Sequence, residues 1–289
     1  MAVWRKAINA VVEPAYPIHT ACRDPLTEVT VMTRPTEAQP ATRPVGCRRC
    51  ADQAPLPFDF SMAFQPIVAP GRQQVFAYEA LVRGTDGSGA YSVLSKVTED
   101  NRYTFDQTCR IKAVELAAQL NLQGYLSINF LPNAVYQPAA CIRATLDAAQ
   151  RVGFPTNRII FEVTENESLT DRTHLKNILI EYQRQGFKTA IDDFGAGYSG
   201  LGLLAEFQPD IIKLDMELIR GIDHDTARLA IVEGIVGICK KLGIRIIAEG
   251  VEQVAEYRAL KALGIDLFQG YLFARPVYQA LPQAQWPLD

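Results

Sequence analysis

Histidine is scarce in this chain, with three residues in 289. Long apolar runs are missing as well. No stretch approaches the roughly 18 residues of a membrane-spanning helix. The short run from Ala7 to Val12 is broken by Asn9 and closed by Glu13, too little for a signal-peptide core. Nor is there an excess of one charge: 29 Lys and Arg against 32 Asp and Glu leave a net −3. Direct nucleic-acid binding, which normally needs a basic face, is therefore not expected. Six cysteines, at 22, 47, 50, 109, 141 and 239, do not make a secreted disulfide framework in a chain this long. With no membrane span and no export signal, a cytoplasmic protein is the expectation.

What is present is ordinary for a globular protein, 48% hydrophobic and 21% charged. The length suits two small domains or one (β/α) barrel of roughly 250 residues. Proline divides it. Residues 1–57 hold eight of the 17 prolines and little helix or strand periodicity. They read as an extended, flexible leader. Residues 58–289 form the expected folded unit.

From residue 58 onward, short β-branched and aromatic runs alternate with stretches of helical period. The strand candidates are 62–68, 75–83, 124–130, 158–163, 187–192, 210–214, 244–249 and 266–272. Between them, Leu175, Ile178, Leu179 and Tyr182 make one apolar helix face, and Ile231, Ile235 and Ile238 another. The first two strands leave no room for a helix, and Pro70-Gly71-Arg72 reads as a turn, so this pair is expected to be antiparallel. The expected fold is α/β: a TIM-like (β/α)8 barrel with one antiparallel strand, preceded by a mostly irregular N-terminal segment. A doubly wound open sheet is the alternative, but no dinucleotide fingerprint accompanies it.

Polar residues collect near the strand ends: Glu79, Asn129, Glu162, Asp192, Asp193, Lys213, Glu249 and Gln269. In a parallel barrel these ends open on the face where active sites are built. One strand-end Asp is usually a helix cap; a set that adds a Lys, a Gln and repeated Glu is not. Converging carboxylates need a compensating cation. All the donors are oxygens, and His174 and His224 lie away from strand ends, so Mg²⁺ or Mn²⁺ is expected rather than Zn²⁺. Five carboxylates exceed what one divalent ion neutralises, and a two-metal site is a device for phosphodiester hydrolysis. Adjacent Asp192 and Asp193 need a bend to share a site, which Gly195 and Gly197 could supply; an ordinary glycine-rich strand-to-helix turn is the alternative for those glycines.

The ordered motifs are Phe64-Gln65-Pro66-Ile67, Tyr78-Glu79-Ala80-Leu81-Val82-Arg83, Ile128-Asn129-Phe130 and Phe161-Glu162-Val163-Thr164-Glu165. They continue through Ile191-Asp192-Asp193-Phe194-Gly195, Ile212-Lys213-Leu214-Asp215, Ala248-Glu249-Gly250-Val251-Glu252 and Phe268-Gln269-Gly270-Tyr271. Over roughly residues 62–276 the chain resembles the EAL family of bacterial cyclic di-GMP phosphodiesterases. The resemblance implies a barrel with its first strand antiparallel and hydrolysis of cyclic di-GMP to linear pGpG. It implies Glu79, Asn129, Glu162 and a bridging Asp192 as ligands of a first ion, Asp193 as a ligand of a second, and Glu249 as a residue that orients water or contributes to that second site. Lys213 is implied to polarise the attacking water, and beside two cations its pKa is expected to fall. Arg83, Gln65 and Gln269 are implied as substrate contacts, and Glu165 as a support of the loop at 194–199. Pairing into homodimers and a regulatory protein partner are further implications.

Two features stand apart. After Arg83 the chain continues Gly84-Thr85-Asp86-Gly87 instead of the Trp and His-Pro segment of many members, and Tyr103 to Arg110 resembles a shorter branch of the family. In the leader, His19, Cys22, Cys47 and Cys50 have the spacing of a four-ligand zinc site. The alternative there is a solvated tail. The alternatives for the barrel are a receptor that binds cyclic di-GMP uncut and a repressor-type interaction protein.

Overall fold

The computed structural model describes residues 55–164, 172–197 and 200–287. His19, Cys22, Cys47 and Cys50 lie outside the described residues, as does Glu165. In chain order the elements are β1 (Ser61–Ala69), β2 (Gln74–Arg83), α1 (Tyr91–Leu94), α2 (Arg102–Gln119), β3 (Tyr125–Asn129), α3 (Pro138–Cys141) and α4 (Arg143–Val152). They continue with β4 (Ile159–Thr164), α5 (Arg172–Arg184), β5 (Lys188–Phe194), α6 (Gly200–Glu206), β6 (Ile211–Leu214) and α7 (Met216–Ile219). The last are α8 (Thr226–Leu242), β7 (Arg245–Ala248), α9 (Val254–Ala262), β8 (Leu267–Phe268) and β9 (Val277–Tyr278).

The strands follow one another from β2 to β8, each parallel to the next, and β1 closes the ring by pairing antiparallel with both β2 and β8. The open-sheet alternative is thereby excluded. The Pro70–Arg72 segment is the expected tight turn, completed by Gln73 at φ 49. Strand β9, which pairs with β1 at Ala63 and Phe64, was not foreseen. A two-residue strand carries no periodicity to read.

Local chemistry sets the helix limits. Asp225 accepts hydrogen bonds from the Ala227 and Arg228 amides, both at 3.0 Å, and opens α8; Gly243, at φ 71, ends it. Leu175, Ile178, Leu179 and Tyr182 are buried as their spacing requires. On α8 only Ile235 follows that pattern, while Ile231 and Ile238 are 51% and 37% exposed. Cys109, Cys141 and Cys239 are free thiols buried among apolar neighbours.

Two apolar layers hold the barrel. The larger packs the helices on the outer strand faces. The smaller takes Ile67 and Ala69 from β1 and one residue from each of six other strands, Ala77, Ile160, Ala190, Ile211, Ile247 and Leu267, and fills the ring itself. This inner plug is the floor on which the polar site stands.

Candidate active site

Successive inward residues of a strand lie two positions apart. Stepping two residues beyond the plug residues Ala77, Ile160, Ala190, Ile211, Ile247 and Leu267 reaches Glu79, Glu162, Asp192, Lys213, Glu249 and Gln269. On β1, which runs the other way, two steps back from Ile67 reach Gln65. The site is therefore the next inward layer above the plug. All seven of these side chains are buried, none more than 5% exposed.

Asp193 breaks that alternation, yet its carboxylate joins the layer. Its backbone is at φ 54, and the β5–β6 register slips between Ile191 and Phe194. The bend thus sits at Asp193 itself rather than at the glycines that follow. Aspartate tolerates this left-handed conformation better than most residues, and the Asp193 amide donates to Asp192 Oδ1 at 2.9 Å.

Lys213 is the centre of the charge arrangement. Its Nζ lies 2.5 Å from Glu249 Oε1, 2.7 Å from Glu162 Oε2, 3.3 Å from Asp192 Oδ1 and 3.5 Å from Glu79 Oε2. Four strands thus aim carboxylates at one fully buried ammonium. Burial opposes its charge, but the carboxylates of Asp192, Glu162, Glu249 and Glu79 outweigh burial and raise the Lys213 pKa well above its usual value. The lowered pKa expected beside two cations does not apply where only carboxylates face the ammonium.

One ammonium does not neutralise the set. Burial, with the neighbouring charges of Glu79 and Asp192, pushes Glu162 up to about 8 despite Lys213. Burial, with the charges of Asp192 and Asp215, pushes Asp193 up to about 7. Burial likewise holds Glu249 well above the usual carboxylate range. Such proton affinity marks a site short of positive charge. The carboxylates fall into two sets, Glu79, Glu162 and Asp192 and then Asp192, Asp193 and Glu249, with ligand oxygens of each set within 4.8 Å of one another. Asp192 belongs to both. An all-oxygen cluster with unneutralised charge and a shared carboxylate fits a pair of hard divalent cations.

The amides complete the wall. Asn129 Nδ2 donates to Glu79 Oε1 at 2.8 Å, and Gln269 Nε2 donates to Glu79 Oε2 at 2.7 Å and to Gln65 Oε1 at 3.3 Å. Gln65 Nε2 in turn donates to the Ala274 carbonyl at 3.1 Å. Glu79, opposed by burial but favoured by Lys213 and these two amides, has a lowered pKa. Arg83, four residues beyond Glu79 on β2, is half-buried and donates to the Val82 carbonyl at 2.7 Å. Burial lowers its pKa against the opposing charges of Glu79 and Tyr271.

Ser127 was missed in the sequence. It precedes Asn129 by two residues on the same strand face, and its hydroxyl donates to Glu162 Oε1. The period of two that marks Asn129 marks Ser127 equally. Asp215 caps α7 by accepting a hydrogen bond from the Glu217 amide at 2.7 Å.

The EAL domain family model matches residues 53–276. This chain belongs to the EAL-domain family. Among relatives of this EAL protein is the blue light- and temperature-regulated antirepressor BluF of Escherichia coli K12, 33% identical over 226 residues that cover 78% of this chain and 56% of BluF. The probable cyclic di-GMP phosphodiesterase PdeD of the same organism is 28% identical over 76% of this chain and 42% of PdeD. The chain thus spans about half the length of these curated relatives. Among solved structures, a standalone versatile EAL protein from Vibrio cholerae O395 in its c-di-GMP-bound form is 55% identical, with a TM-score of 0.77. That match covers 80% of this chain and 97% of the other. A manganese and cyclic di-GMP complex of Klebsiella pneumoniae BlrP1 is 39% identical, with a TM-score of 0.73, over 78% of this chain and 58% of BlrP1. Among the described residues, no helix is long and apolar enough to cross a membrane.

Proposed function

We propose that this barrel is a cytoplasmic phosphodiesterase that opens cyclic di-GMP to linear pGpG. The observation that carries the reading is the convergence of five buried carboxylates and Lys213 into two sets that share Asp192. Glu79, Asn129, Glu162 and Asp192 would hold one Mg²⁺ or Mn²⁺, and Asp192, Asp193 and Glu249 a second. When bound, such ions supply Lewis-acid charge and an acidified water.

The chain's own residues do the rest. Gln269 and Asn129 grip both oxygens of Glu79 and fix the orientation of that carboxylate. Lys213 presents an ammonium beside the reacting phosphate and orients the attacking water, with Glu249 2.5 Å from its Nζ. The water oxygen bonds to phosphorus as the bond to the ribose 3′ oxygen breaks; one proton of the water ends on the departing 3′ oxygen, and the phosphate stays on the 5′ oxygen. Arg83, with a planar fork suited to phosphate, and Gln65 and Gln269 in the wall, hold the nucleotide. Glu165 supports the loop at 194–199, which follows Asp193. We place the barrel in residues 58–289 and a separate leader in 1–57, where His19, Cys22, Cys47 and Cys50 are candidate zinc ligands.

Pairing of two copies belongs to the same reading. Ile231 and Ile238 on α8 and Leu201 on α6 leave apolar surface exposed beside Gly195 and Gly197, at the loop that follows Asp193. Sedimentation of wild type as a dimer and of Ile231→Asp as a monomer is the expected outcome.

The test of catalysis is incubation with cyclic di-GMP and Mn²⁺, following pGpG by chromatography beside Glu79→Ala. Product that vanishes with EDTA, returns with Mn²⁺ or Mg²⁺ and is absent from the variant supports the reading. Tight binding of intact nucleotide without product makes the barrel a receptor instead. The antirepressor name of BluF keeps a third outcome, a regulatory protein partner, in the same experiment.

A further inference from the structure

Behind the wall that carries Asn129 and Glu162 lies a second buried charged group. Arg110 and Asp106, one turn apart on α2, pair at 2.5 Å with side-chain exposures of 0% and 1%. The Arg110 guanidinium lies 5.4 Å from the Phe130 ring centroid, 5.3 Å from Phe161 and 5.7 Å from Tyr182, and its Nη1 donates to the Tyr182 hydroxyl at 2.7 Å. Asp106 Oδ1 accepts the Leu131 amide at 2.9 Å.

Phe130 and Phe161 are the immediate chain neighbours of Asn129 and Glu162. Alternation along a strand turns each pair to opposite faces, so the ring gripped by Arg110 is fixed to the backbone that aims the neighbouring side chain into the site. The two strands are also joined at this level, where the Phe130 amide donates to the Glu162 carbonyl at 3.0 Å. A buried ion pair is weak evidence for stability, since apolar groups of similar volume often serve as well. What it adds here is direction. The bonds to the Leu131 amide and the Tyr182 hydroxyl fix where β3 ends, which packing of rings alone does less sharply.

We propose that Asp106 and Arg110 are positioning residues for the cation site, setting its divalent-ion affinity through the backbone of Phe130–Leu131 and Phe161–Glu162. The proposal rests on the metal reading above. It extends the ligand-supporting shell, whose loss typically costs 10–100-fold in metal affinity, to a pair that acts through the backbone next to two of the ligands.

The experiment is a Mn²⁺ titration of the full chain without nucleotide, followed by the electron paramagnetic resonance signal of the free ion. The double variant Asp106→Leu/Arg110→Met replaces the pair by apolar groups and leaves no buried charge unpaired. It is expected to melt cooperatively like wild type, to bind Mn²⁺ about 10-fold more weakly, and to regain its kcat when Mn²⁺ is raised. Arg110→Lys, which keeps the charge for Asp106 but loses the fork and the ring contacts, is expected to weaken Mn²⁺ binding in the same direction and serves if the double variant does not fold. Wild-type affinity in either folded variant overturns the proposal. Asp192→Asn separates the two readings. If wild type binds Mn²⁺ and Asp192→Asn does not, the metal site stands whatever the α2 variants do. If wild type takes up no Mn²⁺, both readings fall together.

Discussion

Asp192 and Asp193 are consecutive on one strand and yet both present carboxylates to one buried site, because Asp193 takes φ 54. A regular strand would have turned one of them outward. This local departure gives β5 two carboxylates in the layer, one of them shared by both carboxylate sets.

The conformation at residue 193 separates two substitutions that both delete the carboxylate. Alanine meets a left-handed penalty that glycine escapes. In urea denaturation of the metal-free protein, Asp193→Gly is expected to be more stable than Asp193→Ala by about 1 kcal/mol. Both are expected to lose Mn²⁺-dependent turnover. Equal stability would remove the left-handed turn from the account.

Lys213 holds four carboxylates together in the metal-free protein. Lys213→Met leaves them without a counter-charge, and the loss of one partner of a buried ion pair costs about 3–5 kcal/mol. The variant is expected to melt well below wild type in EDTA and to recover part of that difference in Mn²⁺. Calorimetry under both conditions reads this directly. A variant as stable as wild type in EDTA would show that the carboxylates do not depend on the ammonium.

Gly270 follows Gln269 and packs against backbone. A Cβ there would stand 2.0 Å from the Val251 carbonyl oxygen and 2.5 Å from its nitrogen. Neither atom belongs to a side chain that can rotate away. Gly270→Ala is expected to cost about 1–3 kcal/mol, the range for overpacking, and to raise KM by shifting Gln269. Melting temperature and KM together check it.

At the opposite end of the barrel, Asp210 ties β5 to β6. It accepts from Lys188 Nζ at 2.7 Å and from the Thr189 amide at 3.0 Å. Burial opposes its charge, but the bonds to Lys188, Thr189 and Gln183 prevail and lower its pKa below 3.8. A depressed carboxylate adds stability that is present above its unfolded-state pKa and is lost as pH falls through the folded value. Wild type should therefore lose an Asp210-dependent contribution below about pH 4. Asp210→Asn should be less stable at neutral pH and show a shallower fall in acid, measured as melting temperature against pH.

The barrel order was legible because period-two runs alternate with period-three-to-four runs, and the Pro70-Gly71-Arg72 turn left no room for a crossover helix between the first two strands. The site was legible for the same reason: a charged or amide residue two positions past an apolar one belongs to the same face. Ser127 obeys that rule too, but a hydroxyl in a strand is common and does not by itself mark a site. Asp106 and Arg110 carry only an i, i+4 spacing, which on most helices is a solvent-facing pair.

What the sequence determined by itself is which side chains share a face and in what order the strands carry them, since both follow from local backbone geometry. What only the tertiary structure decided is where those faces meet. The four carboxylates around Lys213 come from β2, β4, β5 and the end of β7, and their distances depend on how the closed sheet twists and staggers, a property of the whole ring. The turn at Asp193 and the burial of Arg110 beneath Phe130 and Phe161 are of the same kind. Each is imposed by neighbours far away in the chain, whose contacts outweigh what the residues would prefer alone.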